Sequence, residues 1–195
     1  MFTGIIEAVA KVERIEQAGT NKNFLVSSVI SHDLKVDQSV SHNGVCLTVM
    51  GTEPGSHWVT LVRETLERSN LGNSRQGSLM NLERSMLNNG RFDGHIVQGH
   101  VDQTGMVKAI QEEGGSWLFD IEYDSSQGNV TVEKGSITVN GVSLTCFKSG
   151  PGLFRVAIIP YTFQHTNFNQ LKAGDTVNLE FDIIGKYVSK LISGK

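Results

Sequence analysis

Cysteine is nearly absent from this chain of 195 residues: Cys46 and Cys146 are the whole complement, and both lie inside apolar, strand-like runs. That excludes a disulfide framework and leaves two reduced thiols, each read first as a small core residue. No apolar run approaches the roughly 20 residues of a membrane span. The opening Met1-Phe2-Thr3-Gly4-Ile5-Ile6-Glu7 lacks the basic start and long apolar core of a signal peptide, so a cytoplasmic location is expected. Seventeen basic against twenty acidic residues give a net charge of -3, and no window gathers the Lys/Arg cluster that a phosphate backbone requires, so nucleic acid is not expected as a partner. The 21 glycines form neither a phosphate-cradling loop followed by Lys-Ser/Thr nor a dinucleotide fingerprint. A hydrolase elbow fails too, because Ser143 has Gly141 before it but Thr145 after it.

What is present is written twice. At a shift of 97 residues, Asn43-Gly44-Val45-Cys46-Leu47-Thr48 lies on Asn140-Gly141-Val142-Ser143-Leu144-Thr145. The register then holds without a gap: Thr65 meets Thr162, Asn70 meets Asn167, Gly77 meets Gly174, and Asn81-Leu82-Glu83 meets Asn178-Leu179-Glu180. A period this long means two copies of one domain rather than a solenoid. Within each copy, short alternating runs are broken by Gly, Asn or Pro, and Asn-Gly between two of them favours a type I′ hairpin turn. The expected class is all-β, two closed antiparallel units. Short helices fit Glu64 to Leu71 and Tyr161 to Phe168. A longer one fits from Asp182 onward, where Ile183, Ile184, Tyr187, Val188, Leu191 and Ile192 make an apolar stripe. That stripe has two readings of equal weight: packing on its own barrel, or on the same helix of a neighbouring chain.

Period-two geometry sorts the repeated strand into faces. Val45, Leu47 and Val49 share one, with Cys46 and Thr48 on the other; Val142, Leu144 and Cys146 oppose Ser143 and Thr145. The aliphatic faces form the cores, so Cys46/Thr48 and Ser143/Thr145 project outward. An outward thiol is usually avoided, which favours a cleft at Cys46. In Gly94-His95-Ile96-Val97-Gln98-Gly99-His100, the two imidazoles are five apart and fall on opposite faces of a strand, with no third ligand near, so a metal site is not expected. One suits a proton carrier, the other a structural role. His32, His42, His57 and His165 stand in no motif and read as surface or turn residues.

Four segments in order, the opening heptapeptide, the doubled Asn-Gly-Val-(Cys/Ser)-Leu-Thr, the run Gly94 to His100, and Ile159-Pro160-Tyr161-Thr162, make the chain resemble the riboflavin synthase family over nearly its whole length. The resemblance implies two tandem six-stranded Greek-key barrels, residues 1–90 and 91–182, and a C-terminal helix, 183–195, that assembles a homotrimer. It implies a transferase without a cofactor or metal. Two molecules of 6,7-dimethyl-8-ribityllumazine would exchange a four-carbon unit to give riboflavin and 5-amino-6-(ribitylamino)uracil, with lumazine synthase as a candidate partner.

The same resemblance assigns Gly4, Ile5, Ile6, Cys46, Leu47, Thr48 and the stretch Thr60, Leu61, Val62, Arg63, Glu64, Thr65 to the first pocket. It gives Gly99, His100, Val101, Ser143, Leu144, Thr145 and Ala157, Ile158, Ile159, Pro160, Tyr161, Thr162 to the second, with Lys134 reaching in from a neighbouring chain. Cys46, His100, Ser143 and Asp182 are the implied reactive groups. Under the shift of 97 these meet unlike residues: Cys46 meets Ser143, His100 meets Thr3, Lys134 meets Asp37 and Asp182 meets Ser85. The pockets are thus expected to share a shape but to divide the roles of donor and acceptor. A second reading is a non-catalytic lumazine- or flavin-binding antenna protein, whose relatives lack the Cys-Leu-Thr run. A flavin reductase would need a nicotinamide-binding domain for which no residues remain.

Overall fold

The computed structural model describes residues 1–193. Two closed antiparallel barrels follow one another. The first is built from β1 (Ala8–Ala18), β2 (Asn21–Ser27), β3 (Ser39–His42), β4 (Val45–Glu53), β5 (Ser56–Leu61) and β6 (Leu79–Arg84), closed in the order β1-β2-β5-β4-β3-β6. The second uses β7 (Gln103–Glu113), β8 (Ser116–Tyr123), β9 (Ser136–Val139), β10 (Val142–Gly150), β11 (Leu153–Ile158) and β12 (Thr176–Phe181) in the same cyclic order. β2 pairs with β5 instead of its successor β3, which is a Greek-key connection. Closure leaves no free sheet edge in either unit.

The alternation read from sequence sets both interiors. Val45, Leu47 and Val49 are buried with Val12, Val26, Val40, Leu61 and Leu82 in the first core. Val142 and Cys146 are buried with Val107, Ile121, Phe154, Phe168 and Leu179 in the second. Both Asn-Gly turns have positive φ at both residues, 49° and 82° at Asn43-Gly44 and 46° and 82° at Asn140-Gly141, as type I′ requires. The fifth strand of each barrel is followed by a short helix, α1 (Arg63–Arg68) and α2 (Pro160–His165), whose next turn is capped by a hydroxyl: Ser69 accepts from Leu71 N and Thr166 from Phe168 N.

The barrels meet turn to turn about a pseudo-twofold axis. A Cβ placed on Gly141 would lie 2.8 Å from Gly44 N, and one on Gly44 would lie 2.9 Å from Gly141 N. Around these turns the Asn81 amide donates to Asn140 O and Asn167 Oδ1, and the Asn178 amide donates to Asn43 O. The asparagines of the repeat are therefore the polar mortar between the two units. Replacing Gly141 by Ala adds a methyl against backbone at a left-handed φ, and a loss of about 3 kcal/mol in urea unfolding is expected. A midpoint unchanged from the parent would contradict this close contact.

Ahead of each barrel lies an irregular segment, and these two segments pair with each other: Phe2 N donates to Val97 O at 2.8 Å and Val97 N to Phe2 O at 3.1 Å. The repeat register changes here. From β3 onward the offset is 97, but β1 superposes on β7 at 95, with the Gly19 turn on the Gly114 turn, so Gly4 corresponds to Gly99 and Ile5 to His100. This corrects the pairing of His100 with Thr3; the second copy carries extra residues between β8 and β9. The run from Gly94 to His100 also corrects the strand expectation: only Val97 makes a bridge.

The last helix, α3 (Ile183–Ser193), leaves its apolar stripe in solvent, Leu191 being 80 % and Ile192 82 % exposed. Packing on its own barrel is therefore not the stripe's role. The helix is tethered at its start, where Asp182 Oδ1 accepts from Ile184 N and Lys186 pairs with Asp102 at 2.6 Å. Two of the histidines read as surface residues are in fact inside the first barrel: His42 and His57 are both fully buried.

Candidate active site

Cys46 and Ser143 stand at equivalent strand positions of the two barrels, but the segments packed against them are exchanged. In the first, Cys46 is half-buried on β4, Thr48 is exposed beside it, and Thr65 and Arg68 of α1 close the rim. The remaining wall is the segment Gly99-His100-Val101. Gly99 O accepts from Cys46 N at 2.8 Å, and Val101 packs on the first core. The cleft measures about 230 Å³. In the second, Ser143 N donates to Gly4 O at 2.8 Å and Ile6 packs on the second core. The sequence assignment is thus corrected: Gly4, Ile5 and Ile6 belong with Ser143, and Gly99, His100 and Val101 with Cys46. Docking between distant segments determines this, and strand periodicity carries no record of it.

Glycine at both contacts is obligatory. Gly4 (φ 79°) and Gly99 (φ 80°) are left-handed, and a Cβ at either would sit 2.6 Å from the Cβ of Ser143 or Cys46. The segments therefore lie flat on the strands that carry the polar side chains.

Ser143 has a partner that the sequence reading did not assign. His95 Nδ1 lies 2.6 Å from Ser143 Oγ, and its Nε2 lies 3.1 Å from Thr138 Oγ1. Burial pushes the His95 imidazole below its ordinary pKa, partly offset by the charge of Asp182. A neutral ring has one accepting nitrogen, and hydroxyls on both sides fix its plane. The two histidines of the Gly94 to His100 run thus serve different clefts, with His100 exposed at the first.

Two buried carboxylates hold the exchanged walls. Glu83 on β6 accepts from Thr3 N at 2.6 Å, Thr3 Oγ1 at 2.8 Å and Gly4 N at 2.9 Å. Glu180 on β12 accepts from Gln98 N at 2.6 Å and from Gly99 N and His100 N at 2.9 Å each. Burial raises both acids, Glu180 to about 7, against the pull of those N–H donors. The repeated Asn-Leu-Glu was visible as a repeat, but its task was not.

Other expected contacts divide clearly. Leu47, Leu61 and Ile158 are buried in the cores, so only their main chain faces outward. Thr60 Oγ1 donates to Asn23 Oδ1, and Arg63–Glu67 and Glu64–Arg68 are exposed ion pairs along α1. In the second barrel Ala157, Ile159, Pro160 and Tyr161 are exposed, Leu144 and Thr162 are half-buried, and Thr145 is exposed. Tyr161 stacks on His165 with ring centroids 4.1 Å apart, where the first barrel has the Glu64–Arg68 pair. Lys134 is left-handed at φ 64°, its N bonded to Cys146 O and its ammonium 5.5 Å from the Phe147 ring. Among the described residues no group of His, Cys, Asp and Glu could hold a metal ion, and no helix is long and apolar enough to cross a membrane.

The lumazine binding domain family matches residues 3–85 and 98–182, one domain per barrel. The riboflavin synthase of Actinobacillus pleuropneumoniae is 40% identical over 100% of this chain and 91% of its own. That of Mycobacterium tuberculosis (strain H37Rv) is 41% identical over 98% of each. That of Saccharomyces cerevisiae is 36% identical over 98% of this chain and 86% of its own. Among solved structures, LumP complexed with riboflavin superposes with a TM-score of 0.86 at 18% identity, over 93% of this chain and 100% of that one, a likeness of fold. A domain match on each barrel and full-length identity at this level converge: this chain belongs to the riboflavin synthase family.

Proposed function

We propose that this chain is a riboflavin synthase acting on two molecules of 6,7-dimethyl-8-ribityllumazine. The single observation that supports the reading is the pair of equivalent strand positions bearing unequal reactive groups, Cys46 with His100 at a cleft of the first barrel and Ser143 bonded to His95 on the second. Identical guests held face to face need alignment above all, and holding reactants in register removes much of a bimolecular barrier. The donor's C7 methyl loses a proton to a neutral base, and its conjugated ring spreads the charge. The acceptor then needs a hydroxyl- or thiol-lined wall to assist addition at its C7. His95 beside Ser143 suits proton removal, and Cys46 with Thr48 and Thr65 suits the acceptor's polar wall.

The Cys46 cleft opens on the surface, and a full site takes this face of one chain and the Ser143 face of another. A homotrimer assembled on the exposed stripe of α3 accounts for that pairing, with Lys134 of one chain entering the next chain's site and Asp182 at the helix start. A cytosolic enzyme, with lumazine synthase as a partner, completes the reading. The non-catalytic antenna reading has only fold similarity behind it, whereas the synthases match at 36–41% identity.

Adding purified protein to 6,7-dimethyl-8-ribityllumazine alone should produce riboflavin absorbance with an equimolar yield of 5-amino-6-(ribitylamino)uracil. Cys46→Ala and Ser143→Ala should each lower kcat by about 10- to 100-fold. Lumazine bound but unchanged after long incubation would establish the antenna reading instead.

A further inference from the structure

The repeated Asn-Leu-Glu motif does more than close each barrel. We infer that Glu83 and Glu180 are positioning residues acting crosswise: Glu180 of the second barrel sets the geometry of the Cys46 cleft in the first, and Glu83 of the first barrel sets the Ser143 cleft in the second.

The chain of contacts is direct. Glu180 is anchored on β12, 3 % exposed, and its two oxygens take the three consecutive N–H groups of Gln98, Gly99 and His100. That segment leaves the second barrel and lays Gly99 O on Cys46 N, placing His100 at the first cleft. The mirror arrangement runs from Glu83, 4 % exposed on β6, through Thr3 and Gly4 to Ser143 N. A carboxylate can gather several N–H donors where a carboxamide, with one accepting oxygen, cannot. The segments pair with each other at Phe2–Val97 and from His95 N to Thr3 O, and their ends are bonded to β6 and β12 through Glu7 N and Asp102 N; between those ties, the acids and the two glycine contacts place the residues that face Cys46 and Ser143. The neighbouring Asn81 and Asn178 tie the same strands across the seam, so motif and wall move as one piece. The inference uses the synthase reading for its consequence in turnover, but its geometry is testable without catalysis.

Cys46 is a built-in reporter, because it is half-exposed while Cys146 is buried in the second core. In folded protein, Glu180→Gln should raise the rate of Cys46 alkylation by iodoacetamide about tenfold, the size expected when a charged acceptor's hydrogen bonds are lost. Glu83→Gln, in the barrel that contains Cys46, should leave that rate within about twofold of the parent. In a Cys46→Ala, Ser143→Cys background the thiol lies in the second cleft, and the pattern should invert, Glu83→Gln accelerating labelling and Glu180→Gln not. With the parent cysteines, both Gln variants should lower kcat by a larger factor than they change KM. Where a Gln variant does not fold, Glu→Asp at the same site keeps the charge, shortens the reach and should give the same crossed pattern at reduced size. Each acid governing the thiol of its own barrel, or both thiols alike, would overturn the inference. Crossed labelling in a protein without synthase activity would sustain it and sink the proposed function.

Discussion

Acidification from pH 7 to pH 5 is expected to destabilise the first barrel far more than the second. His42 and His57 face each other inside it, Nε2 to Nε2 at 2.8 Å, with His42 Nδ1 bonded to Val40 O and His57 Nδ1 to Ser31 Oγ. Only one pattern satisfies all four atoms. His42 donates from Nδ1 to the carbonyl, its Nε2 accepts from His57, and His57 Nδ1 accepts from the Ser31 hydroxyl. A proton added to His42 Nε2 sets it against the His57 N–H, one added to His57 Nδ1 is set against the Ser31 hydroxyl proton, and either places a charge in an apolar interior. Burial accordingly holds His57 at about 4, and burial together with the neighbouring ring holds His42 at about 3, both down from 6.5. Because the folded values lie below the unfolded ones, the unfolded chain binds more protons as pH falls. The stabilisation is complete above about 6.5 and is lost on descent toward 4 and 3. At pH 5 each ring costs about 2 kcal/mol, a large part of the 5 to 15 kcal/mol that ordinary domains possess.

At the equivalent positions the second barrel has Val139 and Phe154, both fully buried and without charge. Each barrel also has one tryptophan, Trp58 on β5 and Trp117 on β8. In a Trp117→Phe chain, Trp58 emission should show a urea midpoint that falls steeply between pH 6.5 and 5. In a Trp58→Phe chain, Trp117 should report little change. Installing the second barrel's own pair, His42→Val with His57→Phe, should remove most of that slope. An undiminished slope in the double variant would rule out the histidine pair as its source.

The second large effect concerns turnover. His95→Ala should lower kcat by about 10²- to 10³-fold with a smaller change in KM, the range for removing a positioned acid or base. Ser143→Ala alone should cost about 10- to 100-fold, and the double variant should fall little further than His95→Ala, since two groups acting as one unit are not additive. As the buried ring stays neutral below the ordinary imidazole range, the acid limb of the kcat profile should lie under pH 6.5. Independent, multiplying losses in the double variant would show that the 2.6 Å contact has no part in the reaction.

The barrels, their type I′ turns, the core thiol at Cys146 and the outward face with Cys46 and Ser143 were legible because each depends on local alternation or on the repeat. The inner histidines were also within reach: the same rule places His42 with Val40, and His57 with Val59 and Leu61. They escaped because an imidazole reads as polar until its partner is known. The crossed walls are different in kind. Glu83 and Glu180 point away from the cores and are buried only by a segment some 80 residues distant, and one fixed offset hides a register that changes from 95 to 97. Burial created by long-range docking leaves no periodic trace.

The exchanged walls divide the inheritance of each binding cavity between the two copies of the duplicated domain. A change that reshapes the loop before one strand set is felt by the opposite half, so neither copy drifts alone. Recombination that swaps one half for a distant relative's must bring a matching lead-in segment with it, or it delivers two sound barrels around two unfinished cavities.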